Sequence, residues 1–182
     1  MTPIVPDTKD WTWVLERACP ECGFDVTGFP REEAGAMIRV NATEWRDILG
    51  HDEVRERPND SKWSALEYAC HVRDVFRLYA DRLEMMLDQN DPTYPNWDQD
   101  ATAVAEQYEE QDPNIVSSEL GAAATALADR FDQVEGDQWE RTGNRSDGIS
   151  FTIESFARYL MHDPIHHLHD VRTGFEELSQ RR

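Results

Sequence analysis

Between Arg31 and Leu49 the apolar residues Ala34, Met37, Ile38, Trp45, Ile48 and Leu49 recur at spacings near three and four, the period of one helix face. Gly50 closes this helix. The charged stretch His51 to Lys62, with Pro58, Asn59, Asp60 and Ser61, is expected to be a loop. A longer helix is expected from Ser64 to Gln89, its apolar face built from Leu66, Ala69, Cys70, Val72, Val75, Phe76, Leu78, Tyr79, Leu83, Met86 and Leu87. Ser64 followed three residues later by Glu67 has the form of a capping box, in which hydroxyl and carboxylate each satisfy a free backbone amide. Asn90 to Asn96, with Pro92 and Pro95, should be a loop. Trp97 to Gln111 should form a short helix. Pro113 to Val134 should form a longer one, with Asp112 as N-cap and proline at the first helical position. Gly121 and the run Ala122 to Ala124 would let another helix approach closely. Gly136 to Ser150 is polar and reads as a loop or short hairpin, and Phe151 to Leu178 as the last helix, capped by Thr152.

Four substantial helices without a clear strand predict an all-α fold, an up-and-down four-helix bundle. Residues 1–30, which mix large aromatics with turn formers, are expected to be an N-terminal arm packed on it. At 182 residues the chain is expected to be one domain, 1–182, with a core large enough to need no structural metal or disulfide.

Charge narrows the partners. Lys plus Arg number 18 against 37 Asp plus Glu, a formal net charge of -19 that repels phosphate backbones and anionic membranes. Neither nucleic acid nor membrane is an expected partner; a small-molecule substrate is, and exposed bundle surface is compatible with a homodimer. No run of about 18 apolar residues occurs. Met1 to Asp10 lacks the basic start and apolar stretch of a secretory leader, so a cytoplasmic location is expected. Three cysteines, an odd number, fit a reducing compartment.

The chemistry is concentrated in histidine. Four of the six, His162, His166, His167 and His169, fall within eight residues of the last helix. A separation of four puts His162 and His166 one turn apart on the same face, where two imidazoles converge on one ion. His71, two turns into the second long helix, is the natural third ligand. Three neutral imidazoles leave a coordination position open, as catalytic rather than structural sites do. His167, about 100° round from His166, reads as a packing or interface residue and His169 as an alternative ligand. Asp170 and Glu67 are candidates to orient imidazole nitrogens. Pro164 either bends the helix or starts a new turn with Asp163 as its cap. Cys19 and Cys22 form a Cys-x-x-Cys, read as a structural turn: a zinc ribbon needs a second pair, and only Cys70 remains. Among six tryptophans, Trp63 and Trp97 are best placed to line a pocket near the metal.

Trp63 to His71 on one helix, with His162, His166, His167 and Asp170 on the last, resembles the DinB-like superfamily of bacterial four-helix bundles. That group includes mycothiol-dependent maleylpyruvate isomerases and bacillithiol transferases. The segments Cys19 to Asp25, Trp63 to Val75, Asn96 to Ala101 and Arg158 to Val171 are also similar to an uncharacterised actinobacterial subgroup. The resemblance implies metal ligands at His71, His162 and His166, a divalent ion, zinc or nickel, and a low-molecular-weight thiol such as mycothiol as cosubstrate. The isomerases carry a glutamate where His162 stands, a departure from their pattern. The function so implied is a metal-dependent thiol transferase. The alternatives are a metal-dependent hydrolase using the same open position, or a non-catalytic metal-containing binding module.

Overall fold

The computed structural model describes residues 10–181. The leader reading of Met1 to Asp10 therefore lies almost wholly outside the described residues. Five helices carry the structure: α1 (Ala34–Leu49), α2 (Ala65–Asp88), α3 (Gln99–Ala105), α4 (Pro113–Phe131) and α5 (Ile153–Ser179). The four long ones form the bundle. α4 packs against both α1 and α2, and α5 lies against α2 and α1; α1 and α2, though consecutive, meet less closely than either meets α4. Trp45, Phe76 and Phe156, all but fully buried, fill the centre with Ile38, Leu66, Leu83, Leu120 and Leu127.

The helix starts follow from local chemistry. Ser64 and Glu67 make the reciprocal capping box at α2. Asp112 accepts from the Asn114 and Ile115 amides at 2.8 and 3.3 Å, with Pro113 opening α4, and Thr152 accepts from the Ser155 amide at α5. Trp97 to Gln111 is not one helix. α3 ends where Gln107 takes a left-handed conformation (φ 50°), and a 3-10 turn at Tyr108–Glu110 follows. The break drives the Tyr108 ring into the core, its hydroxyl donating to Asp74 at 2.6 Å.

Three short strands decorate the bundle: β1 (Thr93–Tyr94), β2 (Thr142–Arg145) and β3 (Ser150–Thr152), in the order β1-β2-β3. The hairpin β2–β3 realises one of the two readings of Gly136 to Ser150, with Gly148 at φ 95° in its turn. β1 was expected to be loop. It pairs in parallel with β2, and the flanking prolines do not prevent this, because they sit outside the two paired residues and their missing amides are not needed.

Close helix approach occurs elsewhere than Gly121, where an added Cβ would meet nothing within 4 Å. It falls at Gly35, whose Cβ would lie 2.9 Å from the Ala128 carbonyl and against the Asp132 side chain. Gly to Ala in a helix ordinarily stabilises by about 1 kcal/mol. At position 35 the sign is expected to reverse: Gly35→Ala should cost about 1–3 kcal/mol by overpacking, seen as a melting temperature lowered by roughly 2–12 °C.

Among the described residues no helix is long and apolar enough to cross a membrane. α5 runs unbroken through Pro164, whose carbonyl accepts from the Asn41 side-chain amide of α1 at 3.1 Å. Asp163 thus caps no new turn and its carboxylate is left for the site.

Candidate metal centre

α5 carries two lines of ligands. At about 100° per residue, His162 and His166 share one line along the helix, and Asp163 and His167 share the next. Both pairs have the separation of four that lets two side chains meet one ion. They face different neighbours, and the trio expected from the sequence is accordingly distributed over two clusters. His162 and His166 gather with Cys19 and Cys22 of the arm, and His71 gathers with Asp163 and His167. In each cluster the donor atoms lie within 4.8 Å of one another.

In the inner cluster, His71 Nε2 stands 3.3 Å from Asp163 Oδ2, and His167 Nε2 stands 3.5 Å from Asp163 Oδ1. Both nitrogens of His71 and Oδ2 of Asp163 are buried without a hydrogen-bond partner. Such orphaned polar atoms are rare in a protein interior, because leaving one unsatisfied costs about 1–3 kcal/mol. A divalent ion would satisfy the two that face each other, His71 Nε2 and Asp163 Oδ2. Donors about 2.0–2.1 Å from a tetrahedral ion are about 3.4 Å apart, close to the separation of each imidazole from the Asp163 oxygen that faces it. The donor set, two imidazoles and one carboxylate, suits zinc, nickel or iron and leaves a position open. His71, Asp163 and His167 therefore fit a catalytic-type ion.

The surroundings hold the ligands in place. His167 Nδ1 meets Asp170 Oδ2 at 3.0 Å, the outer carboxylate that fixes a ligating imidazole's tautomer. Asp170 thus orients His167 directly, with His166 Nε2 farther off at 3.8 Å. Glu67 does not reach His71: it is committed to Ser64 and Arg57. Trp97 stacks on the His71 ring at 5.3 Å and 11°, and Trp63 lies 5.5 Å away. His169 belongs to neither cluster.

Charge follows the same division. Burial raises the Asp163 carboxyl, but His71 and His167 beside it hold it well below the usual carboxylate range. Burial opposes protonation of His167, yet Asp163 and Asp170 push it up to about 10. His162, in contrast, is pulled down to about 4 by burial and by its neighbour His166. Burial likewise raises the Cys22 thiol to about 11.

The inner cluster opens on a cavity of about 830 Å³ between the arm, α2, the 96–100 segment, the β2–β3 turn and α5. Trp11, Trp63, Trp97 and Tyr159 supply aromatic walls. Two arginines reach it. Arg145 is paired with Asp147. Arg82, largely buried, donates to the Pro95 carbonyl at 2.7 Å over the Tyr94 ring, and among the described residues no carboxylate lies within ion-pair distance of it. Cys70 is buried on the other side of α2, its Sγ facing the Tyr108 carbonyl at 3.8 Å, with burial pushing the thiol up to about 12.

Comparison with known proteins agrees with this architecture. The family model of the DinB superfamily matches residues 37–171. Among solved structures, YfiT from Bacillus subtilis superposes with a TM-score of 0.73 at 14% identity, covering 82% of this chain and 87% of its own. It is described as a probable metal-dependent hydrolase with an unusual four-helix bundle topology. No curated protein matches the sequence.

Proposed function

Starting from the fact that the chain belongs to the DinB superfamily, we propose that it is a divalent-metal-dependent transferase acting on small molecules, with a low-molecular-weight thiol such as mycothiol as cosubstrate. The observation that carries this reading is the group His71, Asp163 and His167, whose orphaned donor atoms are buried at the wall of a large cavity. A divalent ion held there supplies a Lewis acid that lowers the pKa of a thiol or water near neutral pH.

The chain's own residues account for the rest. His71 and His167 would each offer one imidazole nitrogen, the ion taking the place of the His167 proton, and Asp163 one negative charge. Asp170 keeps the His167 ring turned so that Nε2 points inward. Trp97, stacked on the His71 ring, and Trp63 beside it hold that ligand in the cavity wall. A cavity of about 830 Å³ lies at the upper end of the range for small-molecule sites, about 300–1,000 Å³, and has room for a thiol cosubstrate beside an electrophile. Arg82 offers a cation to an anionic group on either.

The likeness to YfiT favours a second reading, in which the same centre activates water for hydrolysis. Incubating metal-replete protein with mycothiol or another small thiol and an electrophile such as chlorodinitrobenzene, beside ester and amide substrates without thiol, separates the two. Thiol-dependent product formation that disappears in His71→Ala is the expected outcome. Turnover with water alone would favour the hydrolase, and turnover with neither would leave a non-catalytic metal protein.

A further inference from the structure

We propose that Cys19, Cys22, His162 and His166 form a second metal site, a closed tetrahedral zinc site that clasps the N-terminal arm to α5. It is separate from the inner centre and does not depend on the chemistry proposed there.

The arm presents its two sulfurs from one turn. The Cys19 amide donates to the Phe24 carbonyl and the Gly23 amide to the Cys19 carbonyl, both at 2.9 Å. Gly23 sits at φ 75°, a left-handed conformation that glycine adopts without strain. A Cys-x-x-Cys on such a turn puts both thiols on one side. Across from them α5 presents His162 and His166, their rings 5.0 Å apart.

The separations match zinc. Cys19 Sγ lies 3.7 Å from His166 Nδ1, and Cys22 Sγ lies 3.8 Å from His162 Nε2. With Zn–S near 2.3 Å and Zn–N near 2.0–2.1 Å, the sulfur-to-nitrogen edge of a tetrahedron is about 3.6 Å. Cys19, His162 and His166 are buried, and both cysteines are free thiols rather than a disulfide. Two soft thiolates and two imidazoles are a donor set that selects zinc among the common divalent ions.

The site is closed, as structural zinc sites are. Four protein donors fill the coordination sphere, and the Trp11 ring covers both imidazoles at 5.2 and 5.0 Å. The nitrogen of His166 turned away from Cys19, Nε2, faces Glu21 Oε2 at 3.6 Å, a carboxylate on the same arm turn. That is the outer partner a ligating histidine ordinarily has. Binding releases the two thiol protons to solvent and involves no change of oxidation state. The consequence for the inner centre is mechanical: Trp11 is part of the cavity wall, so zinc at the clasp fixes that wall.

The test is metal content joined to cobalt spectroscopy of the full chain. Untagged protein is expected to hold one zinc at the clasp besides the ion of the inner centre, so Cys19→Ser and Cys22→Ser should each hold about one equivalent less than wild type while His71→Ala keeps the clasp zinc. Because loss of a clasp ligand can unfold the serine variants, the decisive measurement is made on the wild type. Cobalt(II) replacing the zinc should give thiolate-to-cobalt charge-transfer absorption and the visible bands of tetrahedral coordination, retained in His71→Ala. Absence of the thiolate bands in cobalt-loaded protein, or folded Cys19→Ser holding as much zinc as the wild type, would overturn the proposal.

Discussion

Replacing His71 by alanine is expected to remove about one equivalent of divalent metal from the chain and with it the turnover, by more than a hundredfold. The magnitude rests on a comparison: loss of an outer partner of a metal ligand typically costs about 10–100-fold in affinity or activity, and His71 is assigned as a ligand itself. It supplies one of three donors, and the two that remain, Asp163 and His167, come from a single helix. Removing it also leaves Asp163 Oδ2 buried with no partner. The graded companion is Asp170→Asn. It leaves all three donors in place but weakens the 3.0 Å contact that turns His167, so metal affinity should fall by about 10–100-fold while the fold survives. Metal titration of the two variants by calorimetry checks both values. Equal loss in the two, or none in His71→Ala, would contradict the assignment.

The second large effect is on stability. Glu67→Gln is expected to destabilise the chain by about 3 kcal/mol, the low end of the range for breaking a buried ion pair. Glu67 is 1% exposed, paired with Arg57, and its Oε2 accepts from the Ser64 amide and hydroxyl at 2.9 and 2.8 Å. The effect stays at the low end because Arg57 is partly exposed and keeps Glu109 at 4.0 Å. For a chain of this length that corresponds to a melting temperature lower by roughly 6–12 °C. The pH dependence follows from the same contacts. Burial raises the Glu67 carboxyl, but Arg57 and Ser64 outweigh it and hold it below its ordinary value. Since the unfolded chain binds that proton more readily, the stabilisation is fully present above about pH 5 and is lost as pH falls through the lowered folded value. The gap between wild type and Glu67→Gln should therefore narrow as pH falls below about 5 and close once the lowered folded value is passed, as denaturant melts from neutral into the acid range would show.

Much of the bundle was legible because its signals are local. The 3.6-residue recurrence and the caps at Ser64, Asp112 and Thr152 depend only on neighbours in sequence, and α2, α4 and α5 begin within a residue or two of where the caps point, while α1 starts at Ala34 after a 3-10 turn from Arg31. β1 was not legible, since two residues between prolines carry no pattern and their pairing partner lies about fifty residues on. Nor was the packing of α4 between α1 and α2, which depends on where the connecting segments run.

The candidate site divides in the same way. A separation of four marks histidines that share a helix face, but it holds for His162 with His166 and equally for Asp163 with His167. Only the direction of α2 relative to α5 decides which pair His71 meets. Pro164 obscured the choice by making Asp163 resemble a cap. The arm was misleading for a related reason. Cys19 and Cys22 were expected to need another cysteine pair, whereas their neighbours are two imidazoles, 140 and more residues away. Trp63 and Trp97, singled out as lining for a metal pocket, do flank His71.

The central claim is that His71, Asp163 and His167 share one metal ion. It is tested most directly by anomalous X-ray diffraction from crystals of the zinc- or nickel-loaded protein, recorded at the absorption edge of the metal. A peak between His71 Nε2, Asp163 and His167 Nε2, distinct from any at Cys19 and Cys22, is the predicted result. A peak bridging His71 to His162 and His166, or no density beside His71 after loading, would contradict it.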